Sequence, residues 1–255
     1  MVKKLSSDSD WEKLGQTDPY FGVCTDEAFK TSNLTEEALQ AFFKSGQEHI
    51  SYVLDKLRWL SGKQIQKLDS VLDFGCGTGR LLIPLSAVAE QAVGIDVSGS
   101  VLKEAQRNIN KLSISNIKLV QSNSLDVING KAFDLVHTYI VLQHIPVKAG
   151  YRIIDALLKA IRPGGLGMIH ITYRNENKWL KNIGIKLKSN YKFIAQLSNV
   201  LKGRPMRKPS MQMNNYNLRK VLTMMEALGI KKFYTEFTDH GGCHGVSIYI
   251  EKEQS

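Results

Sequence analysis

At 255 residues with 43% hydrophobic content, the chain is long enough for one sizeable domain with an appended element, and too short for two full domains to be the default. Its net charge of +10 is uneven: residues 174–220 hold twelve basic side chains against one acid, which favours a local anionic partner over general nucleic-acid affinity. Cys24, Cys76 and Cys243 are odd in number without metal-type pairing, the opening residues lack an apolar signal core, and no apolar run is long enough to span a bilayer. These features point to a reducing, cytoplasmic setting.

In chain order, residues 1–10 are polar and read as disordered. Trp11, Tyr20, Phe21 and Phe29 then sit among turn formers, too few to make a core of their own, so this stretch should fold back on the main domain. Thr35 caps a helix start whose apolar face is Ala38, Leu39, Phe42 and Phe43, and a second helical run from His49 to Leu60 carries Ile50, Val53, Leu54 and Leu57. Residues 1–62 thus form a helical preamble to a domain at 63–255.

That domain opens on Val71-Leu72-Asp73-Phe74-Gly75-Cys76-Gly77-Thr78-Gly79-Arg80: an apolar run, an acid, then glycines at alternate positions. A strand that turns this tightly into a helix, with glycines admitting close backbone approach, is a nucleotide-type cofactor cradle. The GxGxG spacing, without a GK[ST] ending, argues against NAD and nucleoside triphosphates. Val93 to Val97 reads as a second strand whose terminal acid, Asp96, stands where a carboxylate meets ribose hydroxyls. Strands at 71–74, 92–96, 117–121, 132–139 and 166–172, with helices at 79–90, 99–112 and 148–161, make a βαβ series and a parallel, doubly wound sheet. Ligands of such sheets sit beyond the carboxyl ends of the strands, which gathers Asp73 to Gly79, Asp96, Asn123 and Ile140 to His144 on one rim. Residues 174–214 break the pattern as a basic insertion over that rim. A helix at 215–228 and a closing hairpin at 231–238 and 246–251 follow, joined by Asp239-His240-Gly241-Gly242-Cys243-His244-Gly245.

This ordered set, from Val71 to Tyr173 and again from near Tyr216, resembles class I S-adenosylmethionine-dependent methyltransferases. The resemblance implies a Rossmann-like, doubly wound seven-stranded α/β sheet with an antiparallel last strand, an N-terminal helical lid and a basic acceptor cap. It implies S-adenosyl-L-methionine as cofactor, with Gly75, Cys76, Gly77, Gly79 and Arg80 at its methionine end and Asp73 in the hydrogen bonding of the same loop. Asp96 and Val97 then serve the ribose, and Asn123 and Ser124, or else Asp126, face the adenine. Ile140 lies on the rim, and Tyr20 and Phe21 close the lid.

Methyl transfer needs an aligned nucleophile and, for a hydroxyl acceptor, a base. His144, His240 and His244 are the candidates, His244 oriented by Asp239. Asp239, His240, Cys243 and His244 match no common zinc spacing, so no metal is assigned. His137 and His170 lie within strands and read as core, while His49 can line the pocket without a motif behind it. Neither a [DN]PP[YF] loop nor a Pro-Cys nucleophile is present, which favours a hydroxyl on a small-molecule acceptor. Arg174, Arg204, Arg207 and Lys208 suit a phosphate on a nucleotide- or lipid-linked sugar, and the interleaved apolar and basic residues of 174–214 also suit a membrane surface. RNA methylation and a non-catalytic cofactor-binding partner subunit are the alternatives.

Overall fold

The computed structural model of the chain describes residues 6–122, 125–176 and 211–254. Seven strands, β1 (Leu68–Phe74), β2 (Ala89–Asp96), β3 (Ile117–Gln121), β4 (Phe133–Thr138), β5 (Ile161–Asn175), β6 (Lys232–Asp239) and β7 (Cys243–Glu251), form one sheet in the order β3-β2-β1-β4-β5-β7-β6. The first five are parallel, and β7 runs antiparallel to both neighbours. The order reverses beside β1, so the crevice expected at the switch point opens at the glycine loop.

Helices α4 (Leu82–Ser86), α5 (Gly99–Lys111), α6 (Val147–Ala160) and α7 (Leu218–Ala227) complete the domain. The helix expected over residues 79–90 is only five residues long, because β2 takes the chain from Ala89, which pairs with Leu68. Buried Leu72, Val136, Ile154, Leu157, Ile169, Ile171 and Ile248 fill one face of the sheet, and Val71, Leu135, Met168 and Tyr249 the other.

The preamble departs most from expectation. Ser6 to Asp10 are helical, as the start of α1 (Ser6–Thr17), where disorder was expected. That helix owes little to its own polar sequence. It docks through Glu12, whose carboxylate accepts hydrogen bonds from Ser98 Oγ at 2.9 Å, Ser100 Oγ at 2.5 Å and Ser100 N–H at 3.2 Å, at the first turn of α5. Against the upward pull of burial, these bonds hold Glu12 down to about 2. After α2 (Pro19–Val23), the two expected helices are one, α3 (Glu36–Ser61), with Thr35 accepting from Ala38 N–H as its cap. Gly46 does not break it: a Cβ there would collide with the Arg80 carbonyl, so this glycine lets the helix lie against the loop after β1. Of the basic segment, residues 177–210 lie outside the described residues, including Arg204, Arg207 and Lys208. No helix among the described residues is long and apolar enough to cross a membrane.

Candidate active site

A cleft of about 920 Å³ opens at the carboxyl ends of β1, β2 and β4 and is covered by α1 and α2. This volume suits a ligand of cofactor size. Its floor is the turn after β1. Gly75 and Gly77 have φ of 79° and 55°, and a Cβ would meet Val141 at the first and Val23, at 2.6 Å, at the second. Only glycine makes this turn and leaves room above it. Gly79, with φ of 91°, is not among the lining residues; its neighbours are Ile83 and Ala105, and it turns the chain towards α4.

Asp96 lines the cleft and braces the turn. Its Oδ2 accepts from Gly77 N–H and its Oδ1 from Ser98 N–H, both at 3.0 Å. Burial pushes its carboxyl up, and these backbone donors oppose the shift. Val97, Cys76 and Ile140 line the same space. The Cys76 thiol is fully buried and burial raises it well above the ordinary thiol range, so Cys76 contributes backbone and bulk. Ile140 has φ of 58°, a left-handed conformation that a β-branched residue rarely adopts, at the point where β4 gives way to the rim. Strain of this kind gathers at binding sites, where the surroundings enforce it.

Two charged groups face the cleft with unmet valences. Asp73 is 2% exposed, and its Oδ1 accepts from His137 Nδ1 at 2.8 Å while Oδ2 has no hydrogen-bond partner. Arg80 reaches Ser45 Oγ at 3.2 Å through Nη1, lies 5.9 Å from the Phe42 ring, and leaves Nε unpartnered. Burial lowers Arg80, and no carboxylate pairs with it among the described residues. A buried acceptor and a buried donor left open in one cleft cost stability unless a ligand meets them.

The histidines separate clearly. His144 lines the cleft, donates Nδ1–H to Gln212 O at 2.8 Å and has Gln143 Nε2 3.3 Å from its Nε2. Gln143 is itself oriented by Thr172 Oγ1, which donates to its Oε1 at 2.7 Å, so both ring nitrogens of His144 are engaged. His240 also lines the cleft, with Nε2 3.3 Å from Tyr139 Oη. Burial lowers both histidines, which keeps them neutral near pH 7. His244 is not in the cleft: its Nε2 pairs with Glu176 Oε1 at 3.0 Å. Asp239 orients neither histidine, since its Oδ1 accepts from Gly242 N–H at 2.7 Å and closes the hairpin turn. No group of three or more His, Cys, Asp or Glu among the described residues is placed to hold a metal ion.

Tyr20 is a further correction. It is 4% exposed, donates towards Glu104 at 2.9 Å and Asn108 at 3.0 Å, packs edge-on against Phe42 and does not line the cleft, so it pins the preamble to α5. Phe21 lies beneath Lys30, also outside the cleft. The preamble aromatic that lines the cleft is Trp11 of α1, which meets His144 edge-to-face at 4.9 Å. Asn123 and Ser124 lie outside the described residues, while Asp126 lines the cleft beyond β3. Arg174, expected to attract phosphate, pairs with Glu176 at 2.9 Å.

Residues 71–165 match the family described as "Methyltransferase domain". Over 113 residues the chain is 34% identical to a ribosomal protein L11 methyltransferase of Clostridium botulinum, spanning 42% of this chain and 34% of that protein. Over 152 residues it is 28% identical to a ubiquinone biosynthesis O-methyltransferase of Hydrogenovibrio crunogenus, spanning 58% of this chain and 62% of that protein. The chain therefore spans between a third and two thirds of the length of these relatives. Among solved structures, the magnesium protoporphyrin IX methyltransferase of Synechocystis with bound S-adenosylmethionine superposes with a TM-score of 0.60 at 15% identity, covering 99% of this chain and 100% of that one. The matched sequence spans the glycine turn, Asp96 and β4, so residues 71–165 are similar to a methyltransferase domain and the chain has the Rossmann-like fold of class I S-adenosylmethionine-dependent methyltransferases.

Proposed function

We propose that the chain methylates a hydroxyl of a small acceptor, with S-adenosylmethionine as donor and His240 as base. The open groups of the cleft fit the donor. Asp73 Oδ2 suits its ammonium and Arg80 Nε its carboxylate, the turn at Gly75 and Gly77 admits the amino-acid end, and Asp96 and Val97 face the sugar. Asp126 takes the place expected of Asn123 towards the base ring. When bound, this cofactor supplies an electrophilic methyl group on a sulfonium whose leaving group is a neutral thioether.

The chain's own residues then have four tasks. Trp11 and α1 exclude water. Tyr139, at the border of the cleft, meets the acceptor hydroxyl. His240, neutral because burial lowers it, takes the hydroxyl proton as the oxygen–carbon bond forms. His144, with both nitrogens engaged, holds the rim against Trp11. The observation that carries this reading is the pairing of Tyr139 with His240 beside a glycine-floored cleft that holds an open carboxylate and an open guanidinium.

The test is titration calorimetry with S-adenosylmethionine and its demethylated product, followed by transfer of a labelled methyl group to hydroxyl acceptors. Micromolar binding of both, with transfer to oxygen, is expected. Failure of the intact chain to bind either ligand overturns the proposal.

A further inference from the structure

A second cavity, of about 540 Å³, lies between α3 and the ribbon formed by β6 and β7. The register pairs Tyr234 with Tyr249 and Glu236 with Ser247, which puts these four on the sheet face that α3 covers. Tyr52 roofs them, and Tyr139 lines the end nearer the first cleft. Tyr139 also lines the cofactor cleft, so the two cavities share this residue, and it is the one paired with His240.

The walls combine ring faces with a fixed set of oxygen atoms. Glu236 accepts from Tyr52 Oη at 2.7 Å, Tyr249 Oη at 3.0 Å and Tyr234 Oη at 3.3 Å. Its charge is matched by Lys56 Nζ at 2.7 Å. Three tyrosine protons are thereby spent on one carboxylate, which leaves the phenolic oxygens as acceptors towards the cavity. His49 lies on the Tyr139 ring at 4.1 Å and holds it in place. A flat apolar ligand would strip water from these oxygens without replacing it, and an anion would meet Glu236 with its counter-charge already taken. A ring that alternates C–H faces with O–H donors satisfies both sets of groups.

We propose that the cavity between α3 and the β6–β7 ribbon is the acceptor subsite and that it takes an uncharged sugar ring. The proposal rests on the hydroxyl-methylating function above and adds the place and class of the acceptor. A sugar seated there directs one hydroxyl past Tyr139 towards His240, where the two cavities meet. The anionic acceptor expected from the basic segment is not required at this subsite.

The experiment is saturation-transfer NMR with methyl α-glucoside, methyl α-galactoside and methyl α-mannoside, and with catechol as a flat comparison. It uses the full chain saturated with demethylated cofactor. Two variants are run beside it: Ser247→Leu, which fills the floor, and Tyr52→Ala, which removes the roof at a side chain 48% exposed and so spares the fold. At least one glycoside should receive saturation, fall about fivefold in affinity in Tyr52→Ala, and lose its signal in Ser247→Leu, with cofactor binding unchanged in both. Saturation of catechol alone, of no glycoside, or of a glycoside undiminished in Ser247→Leu overturns the subsite. Loss of cofactor binding by the intact chain overturns instead the function beneath it, so the two failures are distinguishable.

Discussion

The parallel half of the sheet and its antiparallel end solve different problems with different materials. Around β1, β2 and β4 the floor of the site is shaped by backbone, two glycines with positive φ, a strained Ile140 and an aspartate whose carboxylate ties Gly77 to Ser98, with Asp73 and Arg80 as its charged side chains. Around β6, β7 and α3 it is made of side chains, four tyrosines with His49, Glu236 and Ser247. A backbone cradle recognises what every donor molecule of one kind has in common. A side-chain wall can vary with the acceptor without changing the backbone path of the sheet, most readily at Tyr52, which is 48% exposed.

On this division, substitutions on the two sides should move different constants. The largest effect is expected from His240→Ala, which should lower kcat by about 100-fold or more with donor affinity unchanged. Next, Asp96→Ala removes two charge-assisted hydrogen bonds from the turn and should weaken donor binding by about 100-fold in calorimetry. A change of similar size in donor affinity from His240→Ala would collapse the distinction between the halves.

Smaller effects sharpen it. Burial holds His240 below the usual histidine range, so its neutral form persists to lower pH; the acid limb of kcat should fall below pH 6.5 and vanish in the His240→Ala profile. Glu12 is lowered in the folded chain to about 2, so its contribution is fully present above its unfolded value of 4.5 and is lost as pH falls towards 2. Glu12→Gln should therefore lower stability by less than about 1 kcal/mol near neutrality, since the group is partly exposed, and the difference from the parent should close at low pH. It should also speed donor release, measured by stopped flow. The mildest expectation is Tyr139→Phe, about fivefold in kcat/KM, as one neutral hydrogen bond is lost.

What the sequence reveals follows the same division. The glycine turn and the series of parallel strands are legible because special φ values and buried parallel strands restrict which residues are allowed, whereas the antiparallel last strand follows only from the family resemblance. His240 is legible as a candidate from its glycine-rich connection, but its choice over His244 depends on which way the hairpin turns, and Asp239 spends its carboxylate on that turn. α1 is not legible. Its sequence is polar, and it is helical because Glu12 finds the start of α5 and Trp11 finds His144, contacts that no local pattern encodes. Tyr20 misleads for the opposite reason: an aromatic beside Asp18-Pro19 looks available, yet its hydroxyl is taken by Glu104 and Asn108. The cavity under α3 escapes notice because Tyr52 and Glu236 meet across 184 positions of chain.

The absence of a side chain at Gly46 has a consequence beyond packing. Because α3 touches the Arg80 carbonyl there and carries His49 and Tyr52 into the second cavity, one continuous rod bears on both cavities. At a rise of about 1.5 Å per residue, the six steps from Gly46 to Tyr52 measure out about 9 Å. On the proposed placement of donor and acceptor the helix acts as a gauge: their separation follows a count of residues along a stiff element, and a residue inserted or removed between positions 46 and 52 would put the two cavities out of step by rotation as well as by length.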